Sequence, residues 1–521
     1  MIQPIAPDYG TNFLLPPALE DWVPASHPVR FLREYVEALD LAALGFEMPQ
    51  ATEGRPPYAV GLLLKIWLYG YWHQTRSSRR LERACRNELP LVWLSGMLTP
   101  DHNTLWRFWR DNHKAIRRLF KQSVELAMKA GLVGLVVQAL DGTKVQAVAS
   151  GRSGWTKETM EQLLVKVEAH ISELEQQIEA AGAVPTEKGA DLPANLQQQK
   201  QLRQMIIQGL AQLEQTQPEH SSPPEQPLQA AGAVPSEKSA DRRANLSQEK
   251  QLRQSLVEGL SQLKQTQREH YHRHEPEARR MNCEGRQPFA YNAQAVVDGK
   301  ARILTAAEVT QAEEDVGQLV PLLEQAKANT GAVAQDNTAD GGYGTGSDLK
   351  SAQDAGYRVV APVREGTPAK DNPYHAHRFK YDESTQAVTC PQGQKLDFQR
   401  QAQQKGQQVR IYRCHCKSCP VREQCSSDPK GRKIEIWPHT PAVQAVRTRL
   451  ETEEGKNILR QRSQLIEWVF GVIKDQFGFR RWTFRGLEKV RSQWAMLCLT
   501  MNLRALWAVW KSGTLQLNVS K

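Results

Sequence analysis

The pattern of apolar residues changes near Gly131, and this change restricts the folds that the chain can adopt. Before it, Tyr58–Leu81 and Thr104–Leu126 place apolar side chains at a helical spacing. After it, Val133–Leu140 is a short β-branched run without a helical stripe, which predicts a buried strand that ends at Asp141. The sequence therefore predicts a helical N-terminal region followed by a region of a different class.

Further short apolar runs continue the strand pattern along the chain. They are Phe289–Val297, Arg302–Val309, a segment before Asp340, and Tyr357–Val363. A turn at Asp298-Gly299 joins the first two runs, and a helix is predicted over Asp315–Ala328. Strands, this helix and a later long helix together predict an α/β core behind an all-α N-terminal domain.

Two segments interrupt the predicted core. Residues 179–220 and 229–270 are near-copies of each other, and each ends in a Gln-rich amphipathic helix. Because two copies are too few for a solenoid, we expect a duplicated helical insertion in a loop, away from the chemistry. The second segment, residues 366–438, contains most of the eight cysteines of the chain.

The charge of the chain indicates an anionic partner. A formal net charge of +10 and a pI of about 9.1 favour nucleic acid or a membrane surface. The most apolar stretches, Ala59–Trp72 and Ala130–Leu140, are too short to span a bilayer. The N-terminus lacks the basic start and apolar run of a secretory signal, so we expect a cytoplasmic protein in a reducing compartment.

The stretch Leu459–Lys474 predicts a helix with an apolar stripe and a polar face. Arg460, Glu467 and Lys474 stand seven residues apart, so a regular α-helix brings them to nearly the same face. At 1.5 Å per residue, each basic group lies roughly 10 Å from the carboxylate along the axis. Such a face fits a phosphate backbone lying across a metal ion, and a solvated face with salt bridges is the alternative.

Two aspartates can complete a metal site with this glutamate. Enzymes that break phosphodiesters commonly use two metal ions roughly 4 Å apart, and Mg²⁺ prefers carboxylate oxygens. Asp141 follows a predicted strand, and Asp340 opens the run Asp340–Gly344, whose glycines allow metal or phosphate to approach closely. Each aspartate taken alone is equally compatible with a turn residue.

The order of several motifs gives a resemblance to a known family. They are Gly54–Tyr58, Arg76–Glu82, Pro100–Thr104, Leu140–Thr143, Tyr291–Gln294, Ala339–Gly344, Glu467 with Lys474, and Gly478–Leu487. The chain resembles bacterial insertion-sequence transposases of the Asp-Asp-Glu (DDE) type. These have a ribonuclease H-like catalytic core, an N-terminal helical domain and a Cys-rich insertion. The matches extend over about residues 28–508.

This resemblance implies an activity, a set of ligands and partners. Asp141, Asp340 and Glu467 would hold two Mg²⁺ or Mn²⁺ ions. The enzyme would recognise the terminal inverted repeats of its insertion sequence, hydrolyse phosphodiester bonds and transfer strands to target DNA. Its partners would be double-stranded DNA and a second copy of the chain in a homodimer, with no membrane partner. We would expect it at the nucleoid when active.

Seven basic residues near the motifs are candidates for contacts with DNA. They are Arg76, Arg79, Arg80, Arg460, Arg462, Lys474 and Arg485. Related transposases often carry Tyr and Arg seven and four residues before the glutamate, where this chain has Arg460 and Ser463. Arg462 is therefore the candidate for the role of that arginine.

The domain organisation follows from the motifs and the two insertions. We predict an N-terminal DNA-binding domain at 1–128, a core in three parts at 129–151, 285–365 and 439–510, a helical insertion at 152–284, a Cys-rich insertion at 366–438 and a tail at 511–521.

The clustered cysteines predict a structural zinc site. Cys416 and Cys419 have the spacing of a usual half-site, and four thiolates in a tetrahedron close such a site. We favour Cys390 and Cys425 as the other two ligands, with Cys414 as an alternative. Free or redox-active thiols are the competing interpretation.

Two other functions are compatible with the same residues. A catalytically silent DNA-binding protein derived from a transposase would bind ends without cleaving them. A plain metal-dependent nuclease would cleave without joining strands and without preferring particular ends.

Overall fold

The fold was analysed in a computed structural model, which describes residues 18–48, 56–149, 154–182, 239–266, 268–364, 372–414, 416 and 419–517. The chain forms two compact units. One consists of residues 1–146 and 290–521, and the other of residues 147–289. Both helices and sheets are present, so the predicted α/β class is confirmed.

The N-terminal region is helical, as predicted. Its helices are α1 (Pro28–Glu37), α2 (Val60–Trp72), α3 (Ser78–Asn87), α4 (Leu89–Leu94) and α5 (His102–Lys129), preceded by a short 3₁₀ helix at Leu19–Trp22. The side chain of Asp101 caps α5 by accepting from the first backbone N–H groups of the helix. Trp109 is fully buried, stacked on Phe484 with ring centroids 4.8 Å apart. The indole therefore serves the core and not a DNA surface.

A mixed sheet forms the centre of the first unit. Its strands are β1 (Val137–Gln146), β5 (Phe289–Asp298), β6 (Leu304–Thr310), β7 (Asp336–Thr338) and β8 (Val359–Val360), in the spatial order β6-β5-β1-β7-β8. β1 pairs with β5 and β5 with β6 in antiparallel fashion, whereas β1, β7 and β8 run parallel. The first strand is thus central, with antiparallel neighbours on one side and parallel neighbours on the other.

The prediction that a strand ends at Asp141 is wrong. β1 continues to Gln146, and Asp141 lies in its middle. The strand continues because Gly142 is not a turn but pairs with Gln294 of β5, and because the buried residues beyond it alternate as a pleated strand requires.

Helices cover the sheet. They are α8 (Leu319–Thr330), α9 (Gly346–Asp354), α11 (Thr440–Glu451), α12 (Glu453–Arg462), α13 (Trp468–Gly471) and α14 (Leu487–Lys511). Leu140, Ala339 and Val443 belong to one apolar cluster with α8 and α9, whereas Val137 packs with Ile458 of α12 in another. Asn502 of α14 accepts from the backbone N–H of Leu304 and donates to its carbonyl oxygen, so these buried backbone groups of β6 are hydrogen-bonded.

The helix predicted around Glu467 is present but not regular. Ser463–Glu467 and Val472–Gln476 are π-helical turns on either side of α13. The predicted apolar stripe is largely buried. A π turn has i→i+5 hydrogen bonds, so residues seven apart no longer return to one face. The expected alignment of Arg460 with Glu467 is altered for this reason.

The Cys-rich segment forms a small antiparallel sheet. Its strands are β9 (Lys380–Asp382), β10 (Ala387–Thr389), β11 (Lys395–Gln404), β12 (Gln407–Arg413) and β13 (Lys433–Ile436), in chain order across the sheet; the short helix α10 (Arg422–Cys425) follows β12. Phe379, Val388, Tyr412 and Ile434 form its apolar centre.

The second unit contains an antiparallel strand pair and two long helices. They are β2 (Gly154–Thr156), β3 (His270–His272), α6 (Lys157–Gly182) and α7 (Ser239–Thr266), with a short strand β4 (Arg279–Arg280) beyond β3. Met160, Leu252, Leu256 and Leu260 lie in the apolar seam between the helices. The helix of the second repeat copy is confirmed as α7, while that of the first copy lies outside the described residues. Across the described ranges, the helices all fall short of the length and apolarity that crossing a bilayer requires.

Candidate active site

Asp141 lies within β1, and Asp340 follows the end of the adjacent parallel strand β7 by two residues. Ala139 of β1 pairs with Thr338 of β7, and each aspartate follows its member of that pair by two residues. Their neighbours Leu140 and Ala339 face the apolar cluster of α8 and α9. Because side chains alternate along a strand, Asp141 projects to the same face as Val137, which packs with Ile458 of α12.

Burial and a neighbouring negative charge disfavour the ionised form of Asp141. Burial, and after it the nearby Asp340 carboxylate, raise the pKa of Asp141 to about 6. A hydrogen bond from the Gly142 N–H and the positive charge of Arg462 act in the opposite direction. A cation placed beside Asp141 would therefore stabilise its carboxylate.

Glu467 is linked to this pair through Arg462. Arg462 Nη1 lies 3.0 Å from Asp141 Oδ2, and its Nη2 lies 3.7 Å from Glu467 Oε1. The Glu467 side chain is 62% exposed, whereas those of Arg462 and Asp141 are largely buried. The three predicted acids are therefore not equivalent: two lie on the sheet, and the third stands on an accessible helical turn beside a shared arginine.

The other predicted DNA-binding residues occupy different environments. Arg460 is exposed and donates to Asn457, and Lys474 is half-buried on the second π turn. Arg76 is packed inside, where it donates to the carbonyl of Phe477 and lies over a neighbouring aromatic ring. Arg79, Arg80 and Arg485 have exposed side chains.

The basic row on α5 also contributes to packing. Arg117 forms ion pairs with Glu308 at 3.2 Å and Glu488 at 3.4 Å, and Arg118 donates to the carbonyl of Leu44. Part of this row therefore attaches α5 to neighbouring elements within the first unit.

The carboxylates of Asp141 and Asp340 match part of the ligand set that a divalent ion requires. Mg²⁺ is usually bound through one or two carboxylates, with water and substrate phosphate completing its shell. Asp141 and Asp340 meet that requirement on adjacent strands. Across the described ranges, no group of three or more His, Cys, Asp and Glu has the arrangement of a metal site. The two aspartates supply the kind and number of carboxylates that such an ion uses, and Glu467 is not joined to them in one ligand cluster.

The structure adds polar residues that the sequence did not single out. Asp315, from the loop before α8, accepts hydrogen bonds from Lys144, Asn292 and Gln294 beside the aspartate pair. Asn292 and Gln294 belong to a motif that carried the family resemblance, so that motif could have indicated them as site residues. Asp315 follows two other acids in a loop, and no sequence motif indicated it.

The clustered cysteines surround one small cavity of about 30 Å³, lined by Cys390, Cys414, Cys416, Cys419 and Cys425. A disulfide joins Cys414 to Cys416, which the sequence did not predict, and the other three thiols are free. Burial raises the pKa of Cys425; Arg432 lowers it, and Cys390 and Cys419 raise it.

Comparison with known families identifies the class of protein. The model of a transposase domain (DUF772) matches residues 17–111, and that of a transposase DDE domain matches residues 389–507. The second match includes Glu467 and the cysteine cluster, and Asp141 and Asp340 lie outside both. No curated protein and no solved structure matches the chain. The two domains define a transposase. More narrowly, the two matches support a transposase of the DDE type from an insertion sequence, and they leave residues 112–388 unmatched.

Proposed function

We propose that this transposase recognises the terminal inverted repeats of its insertion sequence and catalyses metal-dependent cleavage and strand transfer at Asp141, Asp340 and Glu467. The observation that carries the proposal is the position of the two aspartates. Asp141 lies in β1 and Asp340 just beyond the adjacent parallel strand β7, each two residues after the paired Ala139 and Thr338, and Arg462 connects Asp141 to the glutamate.

We assign the core to the ribonuclease H-like class. Three observations support this assignment. β1 is central in the sheet, β5 and β6 continue from it in antiparallel fashion, and β7 and β8 run parallel to it. Asp141 lies on β1, Asp340 just after β7 and Glu467 on a late helical turn, as the family resemblance implies.

Divalent ions, when bound, would activate the attacking oxygen and stabilise the leaving one. Asp141 and Asp340 would hold them, and Glu467 would complete the set by a movement of its exposed side chain. Arg462 would turn from Asp141 to a phosphate of the DNA, because guanidinium binds phosphate as it binds carboxylate. No serine or tyrosine is required as a covalent nucleophile.

Exposed arginines and the net charge of the chain support binding of DNA. Arg460, Arg79, Arg80 and Arg485 are exposed, and the chain carries a formal net charge of +10. Lysine and arginine side chains bind DNA mainly by displacing counterions from phosphates, so affinity should fall steeply with salt. We include Lys474 in this set, and Arg76 as a residue that holds the adjoining backbone in place. A homodimer on paired transposon ends completes the proposal.

We also propose that the cysteine cluster binds one structural zinc ion. A cavity of about 30 Å³ has room for about one small ion or water, and all five clustered cysteines are among the residues that line it. Cys390, Cys416, Cys419 and Cys425 are the preferred ligands, with Cys414 as the alternative. Reduction of the Cys414–Cys416 disulfide by cytosolic thiols would make either residue available.

The proposed activity is tested with purified protein, Mg²⁺ and a DNA fragment that carries the flanking inverted repeats. We expect cleavage and joining by the wild type, and losses of more than about 100-fold in Asp141→Asn, Asp340→Asn and Glu467→Gln. Cleavage that survives scrambling of the repeats, without joining, would identify a plain nuclease. Binding to the ends with no cleavage by the wild type would identify a silent DNA-binding protein.

A further inference from the structure

Asp315 is a third carboxylate beside the Asp141–Asp340 pair, and the proposed chemistry does not use it. Its side chain is only 13% exposed. Lys144 Nζ lies 3.2 Å from both oxygens, and the amides of Asn292 and Gln294 donate to Oδ1 at 2.7 and 2.6 Å. An acid that satisfies these three donors has little capacity left for a metal ion, so its role must lie elsewhere.

Two glycines show where this carboxylate lies. A Cβ atom on Gly142, next to Asp141, would come within 2.8 Å of Asp315 Oδ1. A Cβ atom on Gly342, two residues after Asp340, would come within 3.2 Å of Asp315 Oδ2 and 2.9 Å of Asp340 Oδ1. Asp315 is therefore wedged between the two backbone segments that carry the site aspartates, and both segments need glycine to let it approach.

A chain of hydrogen bonds continues from Asp315 to the turn that carries Asp340. Gln294 donates to Asp315 through its amide nitrogen, which points its amide oxygen toward Tyr343, whose hydroxyl donates to that oxygen. Tyr343 is fully buried, and its backbone N–H bonds to the carbonyl of Asp340 at 3.3 Å. The tyrosine ring and the aspartate belong to one tight turn.

Each hydrogen bond in this series has a fixed donor and a fixed acceptor. The buried hydroxyl of Tyr343 donates to the amide oxygen of Gln294, so the amide nitrogen of Gln294 is the atom that donates to Asp315. Lys144 balances the negative charge of Asp315. The amide of Gln294 then has a single orientation that satisfies both neighbours.

We infer that Asp315 is a positioning residue, which fixes the turn bearing Asp340 against β1 and β5 through Gln294 and Tyr343. The inference rests on the proposed role of Asp340 as a metal ligand. It predicts that Asp315 and Tyr343 act as one unit, although neither touches the metal or the DNA. Outer residues that orient metal ligands typically change metal affinity by 10–100-fold when they are removed.

The test is a double-mutant cycle read by Mn²⁺ binding in electron paramagnetic resonance, without DNA. We expect Asp315→Ala and Tyr343→Phe each to weaken Mn²⁺ binding about ten-fold, and the double variant to be no worse than Asp315→Ala alone. Tyr343→Phe keeps the ring and the net charge, so it separates positioning from the loss of a negative charge. It also serves if Asp315→Ala fails to fold.

Asp348→Ala is the matched control. Asp348 is a buried aspartate in the first turn of α9 that accepts from Gly317 N–H and from the hydroxyl of Thr345, the N-cap residue, and its side chain forms no hydrogen bond with Asp315, Gln294 or Tyr343. It should lower the melting temperature and leave Mn²⁺ binding unchanged. Normal binding by Tyr343→Phe, or additive losses in the double variant, would overturn the inference. Wild-type binding in Asp340→Asn would overturn the proposed function instead, because Asp340 would not be a ligand.

Discussion

Arg462 and Asp141, far apart in the sequence, form the ion pair that joins the helix of Glu467 to the central strand, with 3.0 Å between Nη1 and Oδ2. The pair is largely buried, and the same guanidinium reaches toward Glu467. A positive side chain at this place competes with a divalent ion for the carboxylate. It is also a fixed cation that a phosphate approaching Asp141 would meet.

Arg462→Gln should therefore separate metal binding from catalysis. Because a positive charge is removed beside Asp141, we expect Mn²⁺ to bind a few-fold more tightly in the absence of DNA. Cleavage of the transposon end should fall by about 10-fold or more, since a phosphate contact is lost. Arg253→Gln is the control, because Arg253 lies on α7 of the second unit, where it pairs with Glu168 at 3.1 Å, and has no proposed contact with DNA. Equal effects of the two substitutions would contradict the assignment.

Asp141→Asn should stabilise the metal-free protein at neutral and alkaline pH. The folded state raises the pKa of Asp141 from 3.8 to about 6, so it binds the proton more tightly than the unfolded chain does. Ionisation thus costs stability. The cost is absent below about pH 4 and complete above pH 6, where it amounts to about 3 kcal/mol. Melting temperatures in a chelator at pH 4 and pH 8 measure the difference.

Asp382 is a control of opposite sign for that experiment, because its pKa is lowered in the folded protein and not raised. Hydrogen bonds from Ser384 and Thr385 lower the pKa of its carboxyl to about 2, so its contribution is present at neutral pH and is lost as the pH falls through that value. Asp382→Asn should lower the melting temperature at pH 8. An Asp141→Asn variant that is no more stable than the wild type at pH 8 would refute the prediction.

Zinc content should follow the clustered cysteines. Protein purified with a reductant is expected to contain about one zinc ion per chain by elemental analysis, and Cys419→Ser or Cys425→Ser should lose it. Loss of zinc should expose the segment to proteolysis, because binding energy in such sites is folding energy. Cys283→Ser, in the second unit, is the control. Retention of zinc in both cluster variants would exclude the site.

Leu256→Ala should weaken the helical insertion without affecting the chemistry. Leu256 is completely buried between α6 and α7, so its truncation should cost about 2–5 kcal/mol. Limited proteolysis of the α6–α7 region should become faster, while end cleavage by the intact chain stays near the wild-type rate. Val165→Ala is the surface control, because Val165 is 68% exposed. A large loss of cleavage would show that the insertion takes part in the reaction.

Much of the architecture could be predicted from side-chain patterns. The α2 and α5 helices follow from apolar spacing, and the antiparallel β5–β6 pair follows from two β-branched runs around a turn. The prediction was wrong at Asp141, because an Asp-Gly pair resembles a turn, and only the partner strand reveals that Gly142 is in a ladder. Apolar periodicity also gives no sign of the π turns around Glu467, because it does not record which carbonyl each N–H selects.

The polar network of the site was less accessible to sequence reasoning. Asp315 follows Glu313 and Glu314, and a run of acids usually indicates a solvated loop. Its donors, Lys144 and Gln294, lie far away in the sequence and approach it only when β1 and β5 pair. Networks of this kind depend on tertiary geometry, so no local pattern predicts them.

The antiparallel pairing of Gln146 with Ala290 has a consequence for how the chain folds. Closing a loop of about 140 flexible residues would cost roughly 4 kcal/mol of chain entropy before the two strands could meet. The inserted unit reduces this cost, since its own ends, Ala147 and Phe289, share a backbone hydrogen bond of 2.8 Å. If the insertion folds first, it brings Gln146 and Ala290 next to each other. The pairing of two residues that are distant in sequence then forms almost as readily as a local contact.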